Sequence, residues 1–404
     1  MEKDCLFFCL SGENFNGNTF AKEALEKGAS FVVVDEPEYK IDERCILVEN
    51  TLEALQQLAI FHRNSLNIPI FGITGTNGKT TTKELIHAVL SEKYKVTATK
   101  GNLNNHIGVP LTILSIKADT EIAIVEMGAN HVGEIAFLCE IAQPTMGLIT
   151  NIGKAHLEGF GSIENIIETK TALYKSVNQR NGILFVNADD DLLMKFSENT
   201  RRFTYGKLGY CNGVCLDNDL LLKVHLPEYK IDIQTQLTGG YNFPNVMAAA
   251  AVGLYFHVPT EKIKSALTNY VPSNNRSQLI QKGNKTIIID AYNANPSSMK
   301  LAVENMAKIH AENKILLLGS MAELGENSLA EHQYIVDLIR TYSFDYVYLL
   351  GDEFAKTDAN TSWLFQNYEQ LKTTLEKSLP DKAAILIKGS RAMRMERVLE
   401  IINS

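Results

Sequence analysis

Thr74-Gly75-Thr76-Asn77-Gly78-Lys79-Thr80-Thr81 stands between the apolar run Ile68-Pro69-Ile70-Phe71-Gly72-Ile73 and residues Leu85, Ile86, Val89 and Leu90, which recur at helical spacing. A strand, a glycine-bearing turn and a helix in that order read as a phosphate-binding loop with the helix N-terminus facing the anion. Gly75 and Gly78 let backbone N–H groups turn inward, with Thr76, Asn77 and Thr81 completing the nucleotide-binding segment. Lys79 can reach the β- and γ-phosphates, and the Thr80 hydroxyl can ligate Mg²⁺. The residue five before Gly78 is Ile73, so this is a shorter form of the G-x-x-x-x-G-K-[ST] pattern. The chain is expected to handle ATP.

The 404 residues leave room for about two to four domains. A net charge of −8 without a basic stripe argues against a nucleic-acid surface. No apolar run is long enough to span a bilayer, and Val246 to Phe256, with four alanines and Gly253, reads as a buried helix. The opening Met1-Glu2-Lys3-Asp4 lacks the basic start of a secretory signal, and Cys5 to Leu10 is too short for its apolar core. Cys5, Cys9, Cys45, Cys139, Cys211 and Cys215 show neither a disulfide framework nor zinc spacing, which suits a reducing cytoplasm.

Three textures divide the chain. Residues 1–67 read as a small α/β module, with strands at Leu6–Leu10 and Phe31–Val34 and a helix from Phe20 to Lys27. Residues 68–272 read as a P-loop ATPase domain with a mostly parallel sheet, its strands at Ile68–Ile73, Ile122–Glu126 and Gly147–Thr150, followed by a β-rich insert from Arg201 to Leu237. Residues 273–404 alternate strands (Thr286–Ile289, Ile315–Leu318, Tyr346–Leu350, Ala384–Ile387) with helices, as a Rossmann-like doubly wound domain requires. Pro272-Ser273-Asn274-Asn275 joins the two large α/β units, and a cleft joined in this way can close.

Glu126 ends an apolar strand, where a parallel sheet presents its ligand crevice, and a carboxylate there can hold Mg²⁺. His156 follows the next strand by a few residues. In the helix Ile163–Val177 the apolar stripe Ile163, Ile166, Ile167, Leu173, Tyr174 and Val177 encloses Lys170. Either its stem snorkels along that face, or desolvation leaves a neutral amine able to take up CO₂ as a carbamate, turning a cation into an anionic metal ligand. Asn242 and Asn245 open the helix Phe243–Phe256 on one face, and Asn242 can equally be a helix cap.

Nearly end to end the chain resembles the Mur ligase family. The matching stretches are Leu10-Ser11-Gly12-Glu13-Asn14-Phe15-Asn16-Gly17, the P-loop, Gly101 to Pro110, Glu126 to Glu134, Ala155 to Phe160, Asp290-Ala291-Tyr292-Asn293-Ala294-Asn295-Pro296, Met321-Ala322-Glu323-Leu324-Gly325 and Lys388-Gly389-Ser390-Arg391. The Tyr-Asn-Ala-Asn and Lys-Gly-Ser-Arg segments point to the branch that adds D-alanyl-D-alanine to UDP-N-acetylmuramoyl-tripeptide.

The resemblance implies ATP-driven amide formation through an acyl phosphate. Lys79 would hold the transferring phosphate, Thr80 and Glu126 one Mg²⁺, and His156 with a carbamylated Lys170 a second. Asn242 and Asn245 would lie near the adenine, and Arg276 and Asp290 would meet phosphate and ribose on closure. Asn104, Asn105, Asn130, His131, Asn293, Asn295, Lys388, Ser390 and Arg391 would contact substrate. The chain is expected to act as a monomer.

Three positions depart from the family's pattern. Only four residues precede Cys5, where relatives carry a uridine-holding segment, so the expectation is either a truncated start or, if the start is the true one, an incomplete uridine pocket. Ser320 stands for a carboxylate near the dipeptide site, and Asn18 for a histidine. Two rival readings remain. A related ligase with another amine donor, such as one adding glutamate to folate, would share the P-loop and metal set. A nucleotide switch would want a guanine-specific Asn-Lys-x-Asp, and Ala355-Lys356-Thr357-Asp358 lacks the Asn.

Overall fold

The structure, a computed structural model, describes residues 3–216, 220–273 and 275–402. Asn274, within the expected hinge, and Met1 and Glu2 of the opening segment lie outside the described residues.

The N-terminal module is a parallel sheet of β1 (Leu6–Phe8), β2 (Phe31–Val34) and β3 (Cys45–Leu47), in that order. β3 escaped the sequence reading because a three-residue strand has too little alternation to register. The expected helix is shorter than Phe20–Lys27: a 3₁₀ turn at Gly17–Phe20 leads into Ala21–Glu26, whose Ala21, Ala24 and Leu25 close over Val32, Val34 and Cys45. Buried Asn18 donates to Asp35 Oδ1 (2.7 Å) and accepts from the Asp35 backbone (3.1 Å), tying the turn to the end of β2. The helix Thr51–Ser65 lies before the expected boundary at 67 but packs on the middle unit, with Ala59 in that unit's core and Arg63 donating to the carbonyls of Ala142 and Gln143.

The middle unit is built on β4 (Ile70–Thr74), β5 (Val96–Ala98), β6 (Ile122–Glu126), β7 (Met146–Ile149), β8 (Ile183–Asn187), β9 (Arg202–Gly206) and β10 (Cys211–Asn212). They form one parallel sheet in the order β10-β9-β8-β7-β4-β6-β5. The insert expected over Arg201–Leu237 therefore divides. β9 and β10 extend the parallel sheet, with Phe203 packed on Phe185 of β8. Only β11 (Val214–Leu216), β12 (Leu221–Leu226) and β13 (Ile231–Thr238) form a separate antiparallel sheet. The helix Phe243–Tyr255 is buried from Val246 to Gly253, as its small side chains permit.

The last unit has β14 (Gln278–Lys282), β15 (Lys285–Asp290), β16 (Lys314–Gly319), β17 (Tyr346–Leu350), β18 (Leu364–Phe365) and β19 (Ala383–Lys388), in the order β14-β15-β19-β16-β17-β18. All pairs are parallel except β14 with β15. The four expected strands fall within β15, β16, β17 and β19. The edge strand β14 went unread because Gln278, Gln281 and Lys282 dilute its two apolar residues. Separate apolar clusters fill the two faces of this sheet, so the doubly wound reading stands. No disulfide forms among the described residues, which include all six cysteines.

Within this unit the fully buried His332 is a structural pin. Its Nδ1 donates to the Ser328 carbonyl (2.7 Å) and its Nε2 accepts from the Met321 backbone (2.9 Å). Burial holds its pKa below the ordinary value, so the native state keeps the neutral ring. A base with a depressed native pKa contributes its full stability above the unfolded value of about 6.5, and that contribution is lost as pH falls through the native value. The stability advantage of wild type over His332→Leu should thus narrow between pH 7.5 and pH 5 in equilibrium unfolding.

Candidate active site

The loop after β4 is held open by backbone that only glycine adopts readily. Gly75 has φ 145° and Gly78 φ 78°; a Cβ on Gly75 would fall 1.9 Å from Thr150 Oγ1, and one on Gly78 would fall 2.7 Å from Asn245 Oδ1. The segment after β7 braces the loop. Thr76 N donates to Asn151 O (2.9 Å), Asn77 N to Asn151 Oδ1 (3.0 Å), and Thr150 Oγ1 to Asn77 O (2.6 Å).

Two ammonium groups meet on this loop. Lys79 Nζ donates to the carbonyls of Gly75 (2.8 Å) and Thr76 (3.1 Å), while Lys170 Nζ donates to the same Gly75 carbonyl (3.1 Å). Lys170 is buried with its Nζ 5.9 Å from the centre of the Phe160 ring, so its amine does not snorkel to water. Burial, reinforced by Lys79, brings its pKa down to about 7. Lys79 falls to about 8 through burial and the nearby Arg276, against the pull of Glu126.

Glu126, 1% exposed at the end of β6, collects the donors expected of a metal carboxylate. Its Oε1 accepts from Thr80 Oγ1 (3.1 Å) and Asn104 Nδ2 (2.9 Å), and its Oε2 accepts no hydrogen bond from the described residues. A buried carboxylate with an unsatisfied oxygen beside a hydroxyl fits a hard divalent cation. His156 is not gathered onto Glu126: it adopts φ 50° and its Nδ1 meets the Glu323 carboxylate, whose pKa is held below the usual range by that contact. Among the described residues no group of three or more His, Cys, Asp and Glu comes together.

Asn242 and Asn245 sit side by side as the spacing requires. Asn245 donates to Asn242 Oδ1 (2.9 Å) and accepts from Thr82 Oγ1 (3.0 Å); Asn242 donates to Thr238 O (2.8 Å) and makes no side-chain cap, so capping does not explain it. The last unit completes the enclosure. Arg276 stacks 3.6 Å from the Tyr292 ring centre with its Nε unpartnered, and Asp290 accepts from Lys388 Nζ (2.5 Å) and Ser277 N (3.3 Å). Asn295 caps the helix Pro296–Lys308 and donates to Asn77 Oδ1 (2.8 Å), so the two units touch at the loop itself.

Thr76 to Thr81, Glu126, His156, Asn242, Asn245, Arg276, Asp290, Asn295 and Lys388 line one cavity of 740 Å³ with Asn104, Asn105, Asn130 and Asn293, whereas Gly75 and Lys170 are not part of its wall. Three expected substrate contacts do not form its wall. His131 is exposed and pairs with Glu134 (3.6 Å), Ser390 is buried with its backbone bonded to Ser320 O (3.2 Å), and Arg391 is exposed, 5.2 Å from the Tyr292 ring. Ser320, at the position expected to lack a carboxylate, directs its hydroxyl to Leu350 O (3.3 Å). Asn187 and Asp190 line the cavity and went unread, although Asn187 ends β8 and the strand-end rule that found Glu126 applies to it. Lys83 also went unread; its place one helical turn after Lys79 was the available signal.

The comparisons with known proteins span the chain. Family profiles described as Mur ligase family, catalytic domain; Mur ligase middle domain; and Mur ligase, glutamate ligase domain match residues 1–63, 73–253 and 275–391. The UDP-N-acetylmuramoyl-tripeptide--D-alanyl-D-alanine ligase of Bacillus subtilis is 36% identical over 99% of this chain and 90% of its own length, and that of Escherichia coli is 32% identical over 98% and 90%. Among solved structures, a MurF from Acinetobacter baumannii has a TM-score of 0.87 at 29% identity, covering 100% of this chain and 91% of its own. The MurF ligase from Thermotoga maritima in complex with ADP has a TM-score of 0.86 at 28% identity, covering 99% and 94%.

The loop geometry separates two glycines that composition treats alike. Gly75→Ala meets both backbone strain and Thr150, and should cost on the order of 3 kcal/mol. Gly101, with φ 53° and open space around its Cβ, should cost only about 1 kcal/mol on the same change. Equilibrium unfolding of the two variants checks the order; equal costs would remove the brace between Gly75 and Thr150.

Proposed function

The chain belongs to the Mur ligase family, and we propose that it is the ATP-dependent ligase that joins D-alanyl-D-alanine to UDP-N-acetylmuramoyl-tripeptide in peptidoglycan-precursor synthesis. The observation that carries this is the single cavity in which the P-loop and Glu126 face Arg276, Asp290 and Lys388, in a chain alignable almost throughout with ligases of that name. ATP phosphorylates the terminal carboxylate of the UDP-linked peptide. ADP departs in that step; the dipeptide amine then attacks the acyl carbon and loses a proton, and the tetrahedral intermediate expels phosphate to leave the amide.

Such a reaction asks the protein for position and charge rather than a nucleophile. Loop amides and the N-terminus of the helix Lys79–Ser91 receive the phosphates, and Lys79 exchanges two carbonyls for the transferring group. Asn242 and Asn245 bound the adenine side, and Arg276 and Asp290 bring phosphate and ribose contacts from the last unit. Asn104, Asn105, Asn130, His131, Asn293, Asn295, Lys388, Ser390 and Arg391 are assigned to the substrates, with His131, Ser390 and Arg391 outside the cavity wall. Thr80 and Glu126 would hold Mg²⁺, which supplies Lewis-acid neutralisation of the phosphates.

Lys170 with His156 is assigned to a second Mg²⁺, with Lys170 as its carbamate: the neutral amine adds CO₂ and releases one proton. Support comes from the burial of the amine and its lowered pKa, which make the neutral form readily available near pH 7. The protein is assigned to the cytoplasm as a monomer; no helix among the described residues is long and apolar enough to cross a membrane.

Incubation with ATP, UDP-N-acetylmuramoyl-tripeptide and a panel of amines should release phosphate fastest with D-alanyl-D-alanine. Equal turnover with single amino acids would point instead to another ligase of the family. Lys79→Ala should lower turnover at least about a hundredfold, some 3 kcal/mol of transition-state stabilisation. Lys170→Ala should lose most activity while staying folded and recover part of it with short carboxylic acids. Wild type should show a ¹³C-bicarbonate carbamate NMR signal absent from the variant. A fully active variant with no such difference would leave Lys170 structural.

A further inference from the structure

Lys83 and Glu126 form a buried ion pair, their side chains 3% and 1% exposed, that the reaction outlined above does not use. Their contact is loose. Lys83 Nζ lies 3.6 Å from Glu126 Oε2, beyond hydrogen-bond reach, and among the described residues its one hydrogen bond is a long one of 3.5 Å to the Gly101 carbonyl. A pair kept for structure alone would close to about 2.8 Å and satisfy its remaining protons, because an under-bonded buried charge is costly. Lys83 neutralises the carboxylate but leaves open the oxygen that a metal would take.

Sequence position explains how the lysine comes to be there. Lys79, Thr80 and Lys83 lie three and four residues apart in one helix, so the phosphate lysine, the metal hydroxyl and this ammonium share a face. The lysine's other anchor, the Gly101 carbonyl at 3.5 Å, is a long and weak one, so little holds the ammonium in this place.

We infer that Lys83 is a positioning residue that acts as a tethered substitute for the divalent cation, neutralising Glu126 until metal and nucleotide arrive together and then giving way. This rests on the reading of Glu126 as a metal ligand. An ammonium beside the site opposes a free divalent ion, whereas the phosphates of a bound nucleotide add the negative charge that overcomes the opposition. Lys83 therefore makes metal capture depend on nucleotide.

The test measures Mn²⁺ binding by electron paramagnetic resonance, with and without ADP, and thermal unfolding with and without Mg²⁺. Lys83→Met should bind Mn²⁺ about tenfold or more tightly in the absence of ADP, since a nearby like charge has been removed. It should unfold several degrees below wild type without metal and recover most of that difference in Mg²⁺. Lys83→Arg, which keeps the charge, should stay near wild type in Mn²⁺ affinity. Unchanged Mn²⁺ affinity in Lys83→Met, with the same loss of stability in both conditions, would make Lys83 merely structural and overturn the inference.

Should Lys83→Met not fold, Lys83→Met/Glu126→Gln, which leaves no unpaired buried charge, should fold; its failure would overturn the pairing. Glu126→Gln keeps the two readings apart. If it leaves the Mg²⁺ dependence of ADP binding intact, the metal assignment falls. If it abolishes that dependence while Lys83→Met changes nothing, only Lys83's role falls.

Discussion

A single carbonyl organises the site. Gly75 O accepts from Lys79 at 2.8 Å and from Lys170 at 3.1 Å, so two ammonium groups from different helices converge on one partial negative charge. Burial lowers the pKa of both, with Arg276 adding to the fall at Lys79 and Lys79 adding to that at Lys170. The site is poised for negative charge. Phosphate oxygens at Lys79, or a carbamate on Lys170, each relieve the same repulsion, which makes anion binding and the state of Lys170 energetically coupled.

That carbonyl is in place because of the sheet order. β4 lies between β7 and β6, so the P-loop emerges with the end of β6, which delivers Glu126, on one side and the segment after β7, which delivers Thr150 and Asn151, on the other. Parallel strands present all three ends on one edge, and the helix Lys79–Ser91 then aims its unpaired N–H groups into the opening. The brace from Asn151 and Thr150 keeps the loop in its phosphate-ready form before a ligand arrives, which spares part of the ordering entropy that binding would otherwise cost.

What could be read in the sequence was local. The P-loop announced itself because glycine, lysine and threonine are needed at fixed spacing. Glu126 followed from the rule that strand ends face the crevice, and Lys170 broke a helical stripe. What could not be read was pairing across distance. β9 joins β8 through backbone that carries no partner label, and its aromatic residues would suit either sheet. Glu323 reaches His156 across more than a third of the chain, and nothing near either residue marks the other. Lys83 hid for a different reason: a helix lysine is ordinarily solvated, and only the position of Glu126 on the adjacent strand shows that this one is not.

The last unit contributes by the same physics at longer range. Asp290 and Lys388 occupy partnered positions at the ends of β15 and β19, so the sheet register itself joins the carboxylate to the ammonium at the mouth of the cavity. Arg276 lies on Tyr292 with its Nε unpaired among the described residues, a cation that stacks while one buried donor goes without an acceptor. Direct contacts between the units include the polar pairs Asn295 on Asn77, Tyr241 on Ser277 at 3.2 Å, His156 on Glu323 and Lys154 on Glu331 at 3.0 Å, and Leu220 packs against the last unit's core. Polar contacts of this kind hold two lobes only weakly, since each trades against hydration. Arg276 and Lys79 line the same cavity from the two units, so a polyanion held there would meet a cation from each and add a tie between them.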